Sequence, residues 1–402
     1  MIERADGPAD RFDAAKAAGT LPVVSIPYGR QSLDKRDVEA VEQVLQGDWL
    51  TQGPTVGAFE EAFAAVCDVP HAVAFSSGTA ALHGAAFAAG LEPGEELVTS
   101  AITFAASANC AAYIGATPRF ADIERDTWNV SADTIAPAVG EQTKVVVPVH
   151  FAGLPAPVAE IRAALPEGVR IVEDASHALG ADVGGVPVGS CRDSDMAVFS
   201  FHPVKSIAAG EGGMVTTRDP DLAERMRSFR NHGFVREREL LVDGTGDGWY
   251  HEQQSLGFNY RLSDIHSALG LSQLEKLERF ISRRNEVAER YRRELAGVDA
   301  IELPPGAPDD ARHAYHLFVI RHREGEAARR RLYDGLRERG ILAQVHYIPV
   351  YWHPYYRRQY GYERGLCPEA ERFYAGCLSI PCYPTLSADD QSKVIAAVEE
   401  LA

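Results

Sequence analysis

A carboxylate and a histidine follow a short apolar segment in the first part of the chain. Asp174 ends the segment Arg170–Asp174, whose composition is typical of a buried strand. Open α/β sheets bind ligands at the carboxyl ends of their strands, and a buried Asp there can hold a protonated pyridine nitrogen. His177 shares the face of Asp174 if a helical turn begins there. A helix cap and a satisfied core histidine explain the two residues equally well.

A lysine follows the next apolar segment along the chain. Lys205 comes four residues after Ala197–Phe201, another predicted strand. A lysine just beyond a buried strand can be desolvated, which lowers its pKa and frees the amine to attack a carbonyl group. Most lysines are merely solvated, so Lys205 alone would carry little weight. Lys205 follows the next predicted strand after that of Asp174, and this position strengthens the case for a functional lysine.

The segment Ser76–Ala80 (SSGTA) lies between a predicted strand and an alanine-rich helix. Backbone N–H groups and the positive end of the helix dipole make such a turn a cradle for phosphate. The hydroxyl groups of the segment would add further donors. An ordinary capped turn explains this motif alone at least as well.

The elements that must position these residues alternate along the chain. Predicted strands and helices follow one another as His71–Phe75, Ala80–Ala89, Val145–Val149, Val158–Leu165, Arg170–Asp174 and Ala197–Phe201. This order predicts an α/β fold with a mostly parallel sheet flanked by helices. Two helices precede it: one is capped by Asp34, and the other spans Thr55–Cys67 and buries Val56, Phe59, Phe63 and Val66.

The last third of the chain changes pattern. A long helical stretch, Leu262–Leu295, leads to a strand, a helix, a second strand and two late helices; the first three are His316–Ile320, Glu324–Arg339 and Ile341–Val345. We therefore predict three parts: a flexible extension at 1–21, a large domain at 22–270 and a small C-terminal α+β domain at 271–402. The first helices of the large domain could also pack with the small domain.

Composition limits the partners. The 402 residues carry a formal net charge of −17, which disfavours nucleic acid or an anionic membrane as the main partner. The opening residues lack a signal-peptide pattern and no apolar run is long enough to span a bilayer, so we expect a cytoplasmic protein. The six scattered cysteines predict reduced thiols and no metal site.

These segments together resemble the fold-type I transferases that depend on pyridoxal 5'-phosphate (PLP), and among them the DegT/DnrJ/EryC1/StrS sugar aminotransferase family. The resemblance covers nearly the whole chain after residue 21. It includes three further stretches: Gly47–Pro54 (GDWLTQGP), Thr103–Asn109 (TFAASAN) and Gly257–Asp264 (GFNYRLSD).

The resemblance implies a role for each matching residue. Lys205 would bind PLP covalently and move the proton, and Asp174 would pair with the pyridine nitrogen. Phe104 would lie against the ring face and His177 near the phenolic oxygen. The phosphate would be held by Thr79, Ala80, Ser200 and, across a homodimer with shared active sites, Asn259 of the partner subunit.

Five stretches resemble more closely the aminotransferases of pseudaminic acid biosynthesis. They are 173–181 (EDASHALGA), 201–205 (FHPVK), 231–235 (NHGFV), 345–351 (VHYIPVY) and 378–382 (LSIPC). This likeness implies ping-pong amination of UDP-4-keto-6-deoxy-N-acetyl-altrosamine at carbon 4, with L-glutamate as donor. Two departures bear on the sugar: the glycine-rich stretch 235–254 is longer than expected, and the N-terminal extension has no counterpart.

A cleft that accepts a dicarboxylate and a nucleotide sugar needs cations. The candidates for substrate binding are Arg230, His232, Arg236, Arg238, Arg261 and, in the segment resembling the pseudaminic enzymes, His346. Solvated helix arginines are an equally good explanation for any single one of them.

Three alternatives remain. Another sugar aminotransferase acting on a UDP- or dTDP-linked keto sugar would carry the same motifs. In family members that dehydrate deoxysugars a histidine replaces the lysine, so Lys205 argues against that reaction. A non-catalytic regulatory protein of this fold predicts loss of Lys205 or Asp174, or a basic DNA-binding appendage, and the sequence has neither feature.

Overall fold

The structure, a computed structural model, describes residues 25–244 and 247–402. The extension predicted at 1–21 lies outside the described residues. The strands, in chain order, are β1 Ile26–Pro27, β2 His71–Phe75, β3 Glu96–Ser100, β4 Thr117–Ala121, β5 Thr143–Val147, β6 Arg170–Asp174, β7 Asp182–Val183, β8 Val186–Pro187, β9 Met196–Ser200, β10 Gly213–Thr217, β11 Phe234–Val235, β12 Glu252–Gln253, β13 Ile301–Glu302, β14 Ala311–Arg312, β15 Phe318–His322, β16 Ile341–Leu342 and β17 Cys377–Ile380.

The helices lie between and after these strands. They are α1 Lys35–Gln46, α2 Pro54–Val66, α3 Gly78–Ala88, α4 Ala106–Ile114, α5 Ala132–Ile135, α6 Val158–Ala164, α7 Pro220–Arg230, α8 Asp264–Leu274, α9 Leu277–Glu294, α10 Glu326–Glu338, α11 Pro354–Tyr360, α12 Pro368–Gly376 and α13 Ala388–Leu401. In the described part of the chain, no helix is long and apolar enough to cross a membrane.

Seven strands form the central sheet, in the order β2-β10-β9-β6-β5-β3-β4. β10 is antiparallel to both of its neighbours, and the pairs from β9 to β4 are parallel. The prediction of a mostly parallel sheet is confirmed. Asp174 and Ser200 are the last residues of the adjacent strands β6 and β9, so both lie at one edge of this sheet.

Alternate residues of the sheet belong to two apolar cores. Val198 and Val215 pack with α3 and α7 on one face, and Phe199 and Met214 pack with α2 and α9 on the other. A strand sends successive side chains to opposite faces, so these nearly continuous apolar strands are buried on both sides.

The helical stretch predicted over Leu262–Leu295 is present, but it is not one continuous helix. It forms two helices, α8 and α9, separated at Glu275–Lys276. Lys276 turns at this break to bind Asp34 and Asp37, the cap and first turn of α1, at 2.7 Å from each carboxylate. Two other details differ: Val66 is 38% exposed rather than buried, and α11 to α13 are three late helices where two were predicted.

The C-terminal part contains the antiparallel sheet β13-β15-β17, packed with α9, α10 and α13. The predicted strands lie here with shifted bounds: β15 is Phe318–His322 and β16 only Ile341–Leu342. β1 pairs in parallel with β16, joining Ile26 to Ile341. The first described residues therefore pack with the C-terminal part, although the sequence grouped them with the large domain.

Candidate active site

Asp174 is buried at the end of β6 and held by two donors. The Ser107 hydroxyl donates to Oδ2 at 2.6 Å, and the Ser176 backbone N–H donates to Oδ1 at 3.1 Å. Ser107 lies in the first turn of α4, the helix that comes after β3 in the chain. The carboxylate is thus fixed in orientation and screened from bulk water at the sheet edge.

Lys205 lies in the turn after β9, where its backbone N–H donates to the carbonyl of His202 at 2.9 Å. The pKa of its amine is lowered to about 8, because burial and, less strongly, the cation of Arg284 outweigh the anion of Asp174, which raises it. The amine has no ion-pair partner among the residues that the structure describes. A substantial fraction is therefore neutral near pH 8, the form that attacks a carbonyl group.

A buried arginine connects the two parts of the molecule behind this lysine. Arg284 of α9 donates to the carbonyls of Cys382, at 2.7 Å, and of Val204, at 3.4 Å, and also to those of Tyr315 and His316. Because Val204 precedes Lys205, these bonds attach the lysine turn to the C-terminal part.

The start of α3 approaches β9 very closely. Ser77 caps the helix, and its hydroxyl accepts from the N–H of Ala80 at 3.1 Å. A Cβ on Gly78 would lie only 2.8 Å from Cβ of Ser200, and one on Gly213 would lie 2.5 Å from the carbonyl oxygen of Ser77. The glycines let the helix start and the Ser200 hydroxyl share one small space, which is where a phosphate would find backbone and hydroxyl donors.

His177 is buried and uses only one of its two ring nitrogens. Nε2 lies 3.2 Å from the Tyr347 hydroxyl, while Nδ1 has no hydrogen-bond partner among the residues that the structure describes. Burial, followed by the nearby charge of Lys205, lowers the pKa of the ring, so it is neutral. The ring of His316 lies 4.3 Å away, centroid to centroid.

Phe104 is 60% exposed, an unusual state for a phenylalanine. Its ring lies 6.3 Å from that of the half-buried Tyr347. His346 lies close by: Nδ1 is 2.8 Å from the Ser379 hydroxyl, and burial lowers the pKa of the ring to about 3.

The remaining cations gather elsewhere. Arg230, Arg236 and Arg261 line a cavity of about 400 Å³ that also contains Glu60. Arg230 binds Glu60 and the carbonyl of Ala74, so its charge is already paired.

Residues beside this cavity belong to the same region, which we call the arginine strip: Arg230, Asn231, His232, Arg236, Asn259 and Arg261. Arg261 donates to Oδ1 of Asn231 at 2.7 Å, and Asn231 pairs through its backbone with the exposed Asn259. His232, next in the chain, has a positive φ of 63°. Arg238 lines a different cavity, with Trp249 and His251. No described contact joins these residues to Lys205 or Asp174 of the same chain.

Sequence reasoning missed several residues of the cleft. Ser107 was within reach, because it lies in the stretch TFAASAN that carried the family resemblance. Arg284 and His316 had no sequence signal, since their roles depend on contacts between the two parts of the fold. Tyr347 stood in an aromatic run that equally predicts ordinary packing.

Comparison with known proteins decides the family. The model of the DegT/DnrJ/EryC1/StrS aminotransferase family matches residues 31–399. The chain belongs to this family. The spore coat polysaccharide biosynthesis protein SpsC of Bacillus subtilis (strain 168) is 39% identical over 380 residues, which are 94% of this chain and 97% of that protein.

Two solved structures extend the likeness to the fold. Helicobacter pylori PseC, an aminotransferase involved in the biosynthesis of pseudoaminic acid, is 33% identical and has a TM-score of 0.86, with 94% and 99% of the two chains covered. The PLP form of the sugar aminotransferase Spr1654 of Streptococcus pneumoniae is 26% identical, with a TM-score of 0.85 and coverage of 94% and 98%.

This member of the DegT/DnrJ/EryC1/StrS family is therefore a PLP-dependent sugar aminotransferase of fold type I. Its own residues fit that cofactor. The neutral form of the Lys205 amine can react with the aldehyde of PLP. The close approach of the start of α3 to Ser200 brings backbone and hydroxyl donors together for its phosphate. The unpartnered Nδ1 of His177 is a buried polar atom that a ligand could satisfy.

Proposed function

We propose that the enzyme transfers the amino group of L-glutamate to a nucleotide-linked 4-keto-6-deoxy sugar. The leading substrate is UDP-4-keto-6-deoxy-N-acetyl-altrosamine, which becomes UDP-4-amino-4,6-dideoxy-N-acetyl-altrosamine. The observation that carries the reaction is the meeting of a low-pKa lysine, Lys205, with a buried and oriented carboxylate, Asp174, at one sheet edge.

Lys205 and Asp174 divide the work at the reacting centre. The amine of Lys205 would hold the cofactor covalently, and during the reaction it would take the proton from the substrate carbon and return it. Bound PLP supplies the electron sink for this proton transfer. Asp174, aligned by Ser107 and Ser176, would keep the pyridine nitrogen protonated.

The remaining cofactor contacts follow the geometry of the cleft. Thr79, Ala80 and Ser200 bind the phosphate where α3 starts against β9. Phe104, which is exposed, would cover the ring face, and His177, whose Nδ1 is unpartnered in the described residues, would meet the phenolic oxygen.

A homodimer accounts for the second set of residues. The strip that contains His232, Arg236, Arg261 and Asn259 makes no described contact with Lys205 of its own chain, so we assign it to the neighbouring active site. Asn259 of the partner subunit then reaches the phosphate, and the arginines meet the substrate diphosphate or the glutamate carboxylates. Arg230 is the weakest member of the set, because Glu60 neutralises it.

The choice of sugar rests on five stretches of sequence and on the likeness to PseC. It competes with other UDP- or dTDP-linked keto sugars, since SpsC is a relative named for spore coat polysaccharide. His346, beside the lysine in the cleft, is our candidate contact for the sugar or uridine.

The deciding experiment is a single half-reaction. Purified holoenzyme is mixed with UDP- or dTDP-linked 4-amino sugars, the altro isomer among them, and the loss of the lysine-bound PLP absorbance is followed. Fast conversion to pyridoxamine phosphate by the UDP altro compound alone supports the proposed substrate. Conversion only by another sugar keeps the aminotransferase and discards this substrate. In the control, a Lys205→Ala variant should not form pyridoxamine phosphate at the normal rate with any of the amino sugars.

A further inference from the structure

The hydrogen bond between Tyr347 and His177 is the least explained contact in the cleft. The Tyr347 hydroxyl lies 3.2 Å from Nε2 of His177, and this ring nitrogen is its one hydrogen-bond partner among the described residues. His177 itself is buried, with Nδ1 unsatisfied. The two residues come from opposite parts of the molecule: one follows β6 and the other follows β16.

Both groups are neutral, which restricts the possible proton positions. Burial raises the pKa of the Tyr347 hydroxyl and lowers the pKa of the His177 ring. The tyrosine therefore keeps one hydrogen, and the imidazole carries one hydrogen on either Nδ1 or Nε2. The nearby cation of Lys205 also favours this neutral form, because after burial it is the next largest cause that lowers the pKa of His177.

The two tautomers leave different groups unsatisfied. With hydrogen on Nε2, the ring would donate to the tyrosine oxygen, and the hydroxyl hydrogen would lack a protein acceptor. With hydrogen on Nδ1, the hydroxyl donates to Nε2 and is satisfied, and only the Nδ1–H remains to be paired. Unpaired buried donors are costly, so the second arrangement is favoured. It then offers one N–H donor, which matches an anionic ligand oxygen.

We propose that Tyr347 is a positioning residue that holds His177 as its Nδ1–H tautomer, so that the ring presents a hydrogen-bond donor to the phenolic oxygen of bound PLP. This inference rests on the proposed role of His177 at the cofactor. Tyr347 itself acts through the histidine. The contact also makes the donor depend on the C-terminal part staying docked, since Tyr347 belongs to that part.

The first test needs no cofactor. Solid-state 15N spectra of histidine-labelled, PLP-free protein report which ring nitrogen carries hydrogen, and a His177→Gln sample identifies the signals of His177. We expect the Nδ1–H tautomer in the native protein and a mixture, or the Nε2–H form, in Tyr347→Phe. The Nε2–H form in the native protein would overturn the inference.

The second test is a double-variant comparison of PLP affinity. Tyr347→Phe should weaken PLP binding about tenfold, the effect of one poorly satisfied buried donor. In the His177→Gln background the amide supplies a donor without help, so the same change should cost less than about twofold. Equal weakening in both backgrounds would mean that Tyr347 acts without His177, and the inference would fail.

A matched control separates this effect from general loss of a buried hydroxyl. Tyr362 packs against the same apolar cluster as Tyr347, but it donates its hydroxyl hydrogen to the Pro118 carbonyl, at 2.5 Å, and makes no contact with His177 in the described residues. Tyr362→Phe should leave the His177 spectrum and the PLP affinity unchanged. If the native protein bound no PLP at all, the proposed function would fail, while the spectra of the PLP-free protein would still decide the tautomer.

Discussion

At the scale of single residues, the chemistry depends on opposing charges around one amine. Burial and Arg284 lower the pKa of Lys205 to about 8, whereas Asp174 raises it. The outcome is a lysine whose neutral form is abundant under mildly alkaline conditions, in contrast to an ordinary lysine, whose pKa is about 10.4. The carboxylate thus has an effect on the amine besides its proposed contact with the cofactor.

Removing that carboxylate charge should shift the titration in a definite direction. In Asp174→Asn the pKa of Lys205 should fall below 8, because the one anion that raises it is lost. The measurement is the rate at which acetic anhydride acetylates Lys205 in PLP-free protein as a function of pH, read by peptide mass spectrometry. The exposed Asp193→Asn is the control and should keep the half-maximal rate near pH 8. A rise of the pKa in Asp174→Asn would contradict the account.

The same shift has a consequence for stability. Between pH 8 and about 10.4 the unfolded chain holds the Lys205 proton more tightly than the folded chain. The contribution of this group to the free energy of unfolding of PLP-free protein therefore increases as pH rises through that window.

Among the elements, the proposed phosphate site depends on how closely α3 approaches β9 and β10. The sequence predicted the turn SSGTA but not why glycine stands in it. The structure supplies the reason: a side chain at position 78 would overlap Ser200. The start of the helix is consequently a position where even one methyl group matters.

Gly78→Ala should weaken PLP binding by about tenfold or more, because the added Cβ pushes α3 away from Ser200 at a cost of about 1–3 kcal/mol. Equilibrium titration of the apoenzyme with PLP measures the effect. Gly57→Ala is the matched control, since it also places a methyl group in a helix but meets no atom within 4 Å. Unchanged affinity in Gly78→Ala would remove the phosphate from this site.

Sequence patterns predicted elements better than contacts between them. β2 and β6 were predicted with their observed bounds, because each is a compact β-rich run between clear turns. β10 was missed because a glycine-bearing segment leads into it, and the break between α8 and α9 was missed because both halves are helical in composition. Lys276 at that break binds residues about 240 positions earlier, which no local pattern records.

The candidate site shows the same difference between residues that have a local sequence signal and residues that depend on contacts between distant segments. Asp174 and Lys205 were found because their types and strand ends carry a signal. Ser107, Arg284, His316 and Tyr347 take part through hydrogen bonds and ring contacts between distant segments. The arginine strip was found as a cluster in sequence, yet Arg230 turned out to be paired with Glu60.

At the scale of the whole molecule, the cleft exists because two parts stay docked. Arg284 is one of the polar connections at this junction, buried and bonded to four carbonyl oxygens, one from the large part and three from the C-terminal part. It has no carboxylate partner among the described residues, so its charge is stabilised by carbonyl dipoles alone. The same cation also acts on the pKa of Lys205.

Arg284→Met should lower the free energy of unfolding by roughly 3 kcal/mol, since several buried carbonyls lose their donor. It should also raise the pKa of Lys205, because a nearby positive charge is lost. Denaturant unfolding measures the first effect and acetylation rates the second. Arg293→Met, which removes an exposed arginine of the same helix, should change stability by less than about 1 kcal/mol. A large stability loss with an unchanged lysine pKa would show that Arg284 is only structural.

The central claim is that Lys205 holds the cofactor, and reductive trapping tests it most directly. Holoenzyme is treated with borohydride, which fixes PLP to the amine that carries it, and the modified peptide is identified by mass spectrometry. We expect the label on Lys205, and L-glutamate added beforehand should abolish it. A label on another lysine, or an unlabelled protein that still transaminates, would contradict the account.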